Sequence, residues 1–67
     1  MGRPTMVKRL RIELGLSQTE FAERFRIPVG TLRDWEQRRS EPNESMQAYL
    51  KIIAADAAFV ERTLAAA

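Results

Sequence analysis

Polar side chains with hydrogen-bonding groups recur on one face of the segment 29–37, which reads VGTLRDWEQ. At 100° per residue, Leu32 and Trp35 fall on the opposite face, where they can anchor a helix in a core. Reading the major groove of DNA requires such a helix, because a glycine admits the backbone and long polar side chains reach base edges. Surface helices have polar outer faces in general, so an ordinary solvated helix is the alternative.

The residues before this segment predict a second helix that would hold it in place. Ser17 and Glu20 form the S-x-x-E pattern of a reciprocal capping box, which marks a helix start. Pro28 interrupts the helical pattern, because it disfavours helical geometry at Ile27 and has no N–H to donate. Since proline is tolerated at a helix start, Pro28 can also open the next helix, from about residue 29 to residue 37.

The stretch from Leu10 through Pro42 resembles the helix-turn-helix of the prokaryotic, XRE-like family that includes the lambdoid phage repressors and Cro. The residues that carry the resemblance are the runs LSQTEFAERF and IPVGTLRDWEQ and the proline just beyond them. Within that family the pattern most closely resembles the antitoxin branch of the higBA type. The resemblance implies an all-α, five-helix repressor-like domain in which helices 2 and 3 form the helix-turn-helix.

The resemblance implies double-stranded DNA as the partner and the outer stripe of the third helix as the source of base contacts. Arg33 is expected at a base edge, and Val29 against a thymine methyl group. Asp34 would accept a hydrogen bond from cytosine or would orient Arg33. The predicted base-contacting residues are Val29, Gly30, Thr31, Arg33, Asp34 and Gln37.

Phosphate contacts are expected around this stripe, from Gln18, Arg38, Arg39 and Asn43. Gln18 lies in the first turn of the second helix, whose free N–H groups suit an anion; a solvated glutamine is the alternative. Asn43 is expected mainly to cap the fourth helix. Arg38, like Arg26, stands where relatives commonly have a glycine, and a left-handed arginine costs on the order of 1 kcal/mol.

Arg11 lies within the apolar stripe of a first helix, predicted over residues 6–13 with Thr5 as its cap. A buried-stripe arginine needs a carboxylate partner, and the resemblance implies that this partner is Glu36. Solvation of both side chains at helix ends is the alternative. Gly15 follows the helix as a residue able to take a positive φ.

The last third of the chain predicts two more helices, over about residues 44–54 and 56–64. Phe59, Val60 and Leu64 form an apolar strip that one small domain would not fully cover. The resemblance implies a homodimer contact there, and packing of Phe59 into the monomer core is the rival expectation. One domain is predicted over residues 1–67, with residues 1–5 and 65–67 frayed.

Composition narrows the function further, because the 67-residue chain has neither cysteine nor histidine. Disulfides, zinc sites of the usual Cys/His kind and nucleophile–histidine catalysis are therefore excluded. No apolar run approaches the roughly 20 residues of a membrane span. We expect a cytoplasmic protein that is not an enzyme, that does not contact a membrane and that needs no cofactor or metal.

Charge is unevenly distributed along the chain. Residues 1–39 hold nine Lys/Arg and five Asp/Glu, a balance of +4, whereas residues 40–67 have a balance of −2. A basic front half fits a phosphate-binding surface.

The favoured function is a sequence-specific transcriptional repressor that binds a palindromic operator as a dimer and is the autoregulating antitoxin of a toxin–antitoxin pair. The alternatives are a phage or stand-alone repressor and an interaction module that neutralises a toxin.

Overall fold

The computed structural model describes residues 3–66 and contains five α-helices, with no strand in that range. The helices are α1 (Met6–Glu13), α2 (Gln18–Phe25), α3 (Val29–Glu36), α4 (Glu44–Ala55) and α5 (Ala57–Ala66). The predicted all-α, five-helix architecture is confirmed. The expectation of frayed ends falls partly on residues 1, 2 and 67, which lie outside the described residues, whereas α5 stays helical through Ala66. Within residues 3–66, no helix combines the length and the apolar composition needed to cross a membrane.

Polar side chains close the exposed N-terminal turns of most of the helices. Thr5 caps α1 and Asn43 caps α4, each by accepting a backbone N–H three residues on. At α2 the capping box is complete, because Ser17 accepts from the N–H of Glu20 and Glu20 accepts from the N–H of Ser17. α3 begins after Pro28 without a side-chain cap. At α5 the side chain of Asp56 accepts a hydrogen bond from the N–H of Phe59. Four of the five helix starts are therefore capped by a side chain close to them in the sequence.

Three helix ends share one geometry, a residue in the left-handed conformation. The φ angle is 72° at Gly15 after α1, 57° at Arg26 after α2 and 61° at Arg38 after α3. In each case the N–H of the following residue bonds to the carbonyl five residues before it, at 2.9–3.2 Å, and closes the helix. Glycine adopts this geometry without strain, whereas each arginine pays on the order of 1 kcal/mol.

The side chains of the two left-handed arginines reach across to the two ends of the chain. Arg26 donates from Nη2 to the carbonyl of Leu64 at 2.9 Å, near the end of α5. Arg38 donates from Nη2 to the carbonyl of Arg3, ahead of α1. Each arginine thus ties a terminal segment to the helix-turn-helix, which gives part of a physical reason for a non-glycine residue at a left-handed position.

The core lies where α2, α3, α4 and α5 meet, with α1 covering one side. Phe21 and Phe25 of α2 pack against each other with ring centroids 4.8 Å apart. Tyr49 of α4 donates from its hydroxyl to the carbonyl of Phe25 at 2.8 Å and satisfies a free group at the end of α2. The buried residues are Val7, Leu10, Leu16, Phe21, Ala22, Phe25, Ile27, Leu32, Trp35, Leu50, Ile53 and Val60.

A single residue, Asp56, separates α4 from α5. Its φ of −157° and ψ of 80° break the helix, and its carboxylate caps α5 at the N–H of Phe59. The break turns α5 back against α2, where Arg24 and Glu61 form an exposed ion pair at 3.2 Å. This turn places Val60 in the core and leaves its neighbour Phe59 at the surface.

Candidate nucleic-acid interface

The third helix presents its polar stripe to solvent because its apolar residues are fixed inward. Leu32 is 0% exposed and Trp35 is 5% exposed. Arg33, Gln37 and Gly30 are exposed. Because the indole of Trp35 is buried together with Leu32, the rotation of α3 about its own axis is fixed. The side chains of Arg33 and Gln37 are therefore available to a ligand.

The remaining residues predicted at base edges border the same stripe. Val29, Thr31 and Asp34 are half-buried, with Val29 packed against the core. Asp34 lies 3.9 Å from Arg39, between Oδ1 and Nη1. Within residues 3–66 no ion pair joins Asp34 to Arg33, and both roles expected for Asp34, a contact with cytosine or the orientation of Arg33, stay predictions. At this distance and exposure the contact contributes little to stability.

Arg11 and Glu36 come together and lock α1 to the end of α3. Nε of Arg11 lies 2.8 Å from Oε2 of Glu36, and Nη2 lies 2.9 Å from Oε1. The two side chains are 14% and 4% exposed. Arg11 also donates to the carbonyl of Leu16 at 3.0 Å, in the connection between α1 and α2. The bidentate geometry and the additional bond compensate for the desolvation of both charges.

The environment of Glu36 keeps it ionised. Burial acts to raise the pKa of Glu36, but hydrogen bonds from Arg11 and Gln18 and the positive charge of Arg11 outweigh it. The net effect is a pKa below the ordinary value for a glutamate. The hydrogen bond from Glu36 raises the pKa of Arg11 in turn. A carboxylate that is charged at neutral pH can only accept hydrogen bonds, and this fixes its neighbours.

Gln18 extends this network from the buried pair to the exposed stripe. Its Nε2 donates to Oε1 of Glu36 at 3.1 Å, and its Oε1 accepts from Nε of Arg33 at 3.4 Å. The sequence predicted a phosphate contact for this side chain and gave no sign of the link to Arg33. The contact joins residues 15 positions apart on different helices, and no local pattern encodes it.

The start of α2 still offers groups for an anion. The capping box satisfies the N–H of Glu20, and within residues 3–66 the N–H groups of Gln18 and Thr19 have no acceptor. Such free N–H groups at a helix N-terminus suit a phosphate oxygen. A phosphate at this place would therefore be held by these backbone N–H groups.

The other residues predicted to contact phosphates differ in how free they are. Arg39 is 71% exposed, and its nearest acidic contact is the distant one to Asp34. Arg38 is exposed, but its Nη2 is engaged by the carbonyl of Arg3. Asn43 uses its side-chain oxygen to cap α4, which leaves its amide nitrogen for a phosphate. Of Arg38, Arg39 and Asn43, Arg39 therefore has the side chain with the fewest contacts to the rest of the described protein.

The predicted dimer residues separate into different environments. Phe59 is 54% exposed, Val60 is 6% exposed and Leu64 is half-buried. The rival expectation, in which Phe59 packs into the monomer core, is wrong because the α4–α5 turn points Val60 inward in its place. Val60 offers little surface to a second chain. Phe59 and the edge of Leu64 remain open to a partner.

Comparison with known proteins agrees with this architecture. Residues 7–46 match the family model described as helix-turn-helix. The chain is also similar to a solved structure described as an HTH XRE-family like protein from Agrobacterium tumefaciens. The two are 52% identical, with a TM-score of 0.89, and the match covers 92% of this chain and 98% of that one. No curated protein sequence matches the chain.

The buried ion pair makes stability depend on the charge of Glu36. Glu36→Gln should lower the free energy of unfolding at pH 7 by about 3 kcal/mol, because Arg11 keeps its buried charge without a counter-charge. A lowered pKa means that Glu36 contributes its stabilisation above the unfolded value of about 4.3 and loses it as pH falls through the folded value. Urea unfolding at pH 7 and pH 3 measures both effects.

The matched control is Glu13→Gln, the same chemical change at an exposed position of α1. It should leave the urea midpoint at pH 7 unchanged. The difference in stability between pH 7 and pH 3 should be smaller in Glu36→Gln than in the unmodified protein. Equal pH dependence in the two proteins would show that the ion pair does not hold α1 to α3.

Proposed function

Since this chain belongs to the XRE-like helix-turn-helix family of DNA-binding transcription regulators, we propose that it is a sequence-specific repressor that occupies a promoter. In this proposal α3 lies in the major groove of double-stranded DNA and α2 crosses the phosphate backbone. The protein binds and does not catalyse, and it acts in the cytoplasm, where a prokaryotic regulator meets its operator.

The observation that carries the proposal is the fixed rotation of α3. Leu32 and Trp35 are buried, so Arg33 and Gln37 project from the surface beside the free N-terminus of α2. Base edges need long donors and acceptors, and phosphates need cations or free N–H groups. The two kinds of group lie side by side here, which is the arrangement that a helix-turn-helix uses.

Arg33 and Arg39 should respond differently to substitution. Arg33→Ala should cost about 1–3 kcal/mol of binding and relax the preference for one base pair, because an arginine pairs with the O6 and N7 of guanine. Arg39→Ala should weaken binding to all duplexes alike and reduce the salt dependence by about one counterion, because a phosphate carries no sequence information. Selection from a randomised duplex pool, followed by fluorescence-anisotropy titrations at several salt concentrations, measures both.

Lys51→Ala, which removes an exposed positive charge from α4, serves as the control and should change neither quantity appreciably. The assignment of Arg33 fails if Arg33→Ala selects the same duplex with the same discrimination. The assignment of Arg39 fails if its removal weakens only some sequences.

Gly30 provides a test of whether the stripe is shaped for a ligand. A Cβ built on Gly30 meets nothing within 4 Å, so the protein itself gives no steric reason for a glycine in the first turn of α3. Gly30→Ala should therefore raise the free energy of unfolding by up to about 1 kcal/mol. It should also weaken binding to the selected duplex about tenfold, because the methyl group keeps the backbone away from DNA.

Gly15→Ala is the paired control, since its Cβ also meets nothing within 4 Å but its φ is +72°. That substitution should lower stability by about 1 kcal/mol, because alanine is strained in the left-handed region. Binding by the folded fraction should stay as it was. If Gly30→Ala stabilises the protein and binds DNA as well as before, α3 does not approach the groove as proposed.

A homodimer completes the proposal. Two copies would place their α3 helices roughly 34 Å apart, one turn of DNA, on a palindromic operator. The support for a second copy is the exposed ring of Phe59 beside the half-buried Leu64 on α5. Aromatic residues, phenylalanine among them, are enriched at protein–protein interfaces.

Phe59→Glu should therefore give a monomer and weaken binding to the full palindrome, while affinity for an isolated half-site stays unchanged. Light scattering after size-exclusion chromatography reports the mass, and titrations of full and half sites report the coupling. Ile12→Glu on α1 is the control, since Ile12 has a similar exposure of 57%. A Phe59→Glu protein that still dimerises excludes this surface.

The resemblance to the higBA-type branch supports a finer proposal, that the repressor is an antitoxin that regulates its own operon. Its support is the pair of residue runs that carry the resemblance, LSQTEFAERF and IPVGTLRDWEQ. Co-expression with the neighbouring reading frame tests it: the antitoxin relieves the growth arrest that a small basic ribonuclease-like toxin causes. If the neighbouring genes encode no such toxin, the protein is a phage or stand-alone repressor.

A further inference from the structure

Gln18 occupies the position between the buried ion pair and the exposed stripe of α3. Its side-chain nitrogen is 3.1 Å from Oε1 of Glu36, and its side-chain oxygen is 3.4 Å from Nε of Arg33. The amide therefore has one contact on the buried side and one on the surface side. It is the first residue of α2, which is held in place by the capping box of Ser17.

The chemistry of Glu36 determines which way this amide faces. Both carboxylate oxygens are fixed by Arg11, at 2.8 and 2.9 Å, and an ionised carboxylate has no hydrogen to donate. Gln18 must therefore direct its NH₂ group toward Glu36. Its oxygen is then obliged to face the opposite way, toward Arg33. The positions of the amide oxygen and nitrogen of Gln18 are thus assigned from the donors and acceptors around them.

An oxygen in this place constrains the arginine that we propose at a base edge. Arg33 uses its Nε for the contact with Gln18, and within residues 3–66 its Nη1 and Nη2 have no acceptor. These two nitrogens can form the forked pair of hydrogen bonds that a guanine O6 and N7 accept. An arginine ordered before binding loses less side-chain freedom when it binds.

We propose that Gln18 is a positioning residue, which holds Arg33 in the orientation that recognises a guanine in the major groove. The inference rests on the proposed function, since it requires that Arg33 contacts a base. It adds a specificity-determining residue that lies outside α3, and a physical path from the Arg11–Glu36 pair to base recognition. Arg11 fixes Glu36, Glu36 fixes the amide of Gln18, and the amide fixes Arg33.

A phosphate contact alone is a weaker account of Gln18. Both polar ends of its side chain have protein partners, and the free backbone N–H groups at the start of α2 can serve a phosphate without it. Within residues 3–66, Asp34 forms no hydrogen bond or ion pair with Arg33, and its ion-pair contact, at 3.9 Å, is with Arg39. Gln18 is therefore the side chain that contacts Arg33 from outside its own helix.

Gln18→Met tests the proposal, because methionine keeps the length of the side chain and removes both the acceptor and the donor. Binding is measured to the selected duplex and to duplexes in which the preferred guanine is replaced by each other base. Discrimination against the replaced bases should fall roughly threefold to tenfold, a part of the loss in Arg33→Ala. The salt dependence should stay unchanged, because no phosphate contact is removed.

Gln47→Met is the matched control, the same change at an exposed glutamine of α4 that donates to Pro42. It should leave discrimination unchanged. If Gln18→Met weakens every duplex by the same factor and lowers the salt dependence, Gln18 is a phosphate contact and the proposal is wrong. If Arg33→Ala itself retains full discrimination, the proposed base contact fails first, and with it the positioning role.

A measurement on the DNA-free protein separates positioning from folding. In ¹⁵N-edited spectra the Nε–H of Arg33 should exchange with water more slowly than that of Arg39, which makes only a 3.9 Å contact through Nη1. Gln18→Met should remove this difference while cooperative thermal unfolding is preserved. Equal exchange at Arg33 and Arg39 in the unmodified protein would overturn the proposal without reference to any duplex.

Discussion

The bidentate pair between Arg11 and Glu36 is the constraint on which the arrangement of the first three helices depends. Arg11 bonds to α3 through Glu36 and to the α1–α2 connection through the carbonyl of Leu16. Glu36 receives Gln18 from α2 as well. Burying two charges is costly, and the cost is offset only when every polar atom finds a partner. Such a network tolerates one relative placement of the helices, and so it fixes the site more than it stabilises the fold.

The backbone is strained at the ends of α2 and α3, and side-chain hydrogen bonds of the strained residues offset part of this strain. Arg26 and Arg38 adopt left-handed backbone angles at positions that glycine would fill without cost. Each guanidinium then reaches a carbonyl in a terminal segment, Leu64 in one case and Arg3 in the other. The two residues also place positive charge close to the helix-turn-helix. Each of these two arginines thus combines a strained backbone with a stabilising hydrogen bond and a positive charge. Replacing both with glycine would relieve the strain and remove the two hydrogen bonds and the two charges.

Local interactions account for what the sequence predicted well. The capping box at Ser17 and Glu20, the cap at Asn43 and the proline before α3 act within three or four residues, so their patterns can be recognised without a structure. The helical period placed Leu32 and Trp35 on one face, and both are buried. The four helices whose bounds were predicted, α1, α3, α4 and α5, begin and end within about two residues of the predicted positions, because local sequence signals mark helix starts and ends.

The sequence alone determined the fold class, the inward face of α3 and therefore which residues of that helix are exposed. Tertiary structure decided which of two adjacent residues on α5 enters the core, since the turn at Asp56 sets the angle at which α5 docks. It also decided that Gln18 bonds to both Glu36 and Arg33. Those contacts join side chains 18 and 15 positions apart, and they exist only after helix packing has brought their backbones together. Periodicity describes one helix at a time, whereas a hydrogen-bond network depends on the distances between helices.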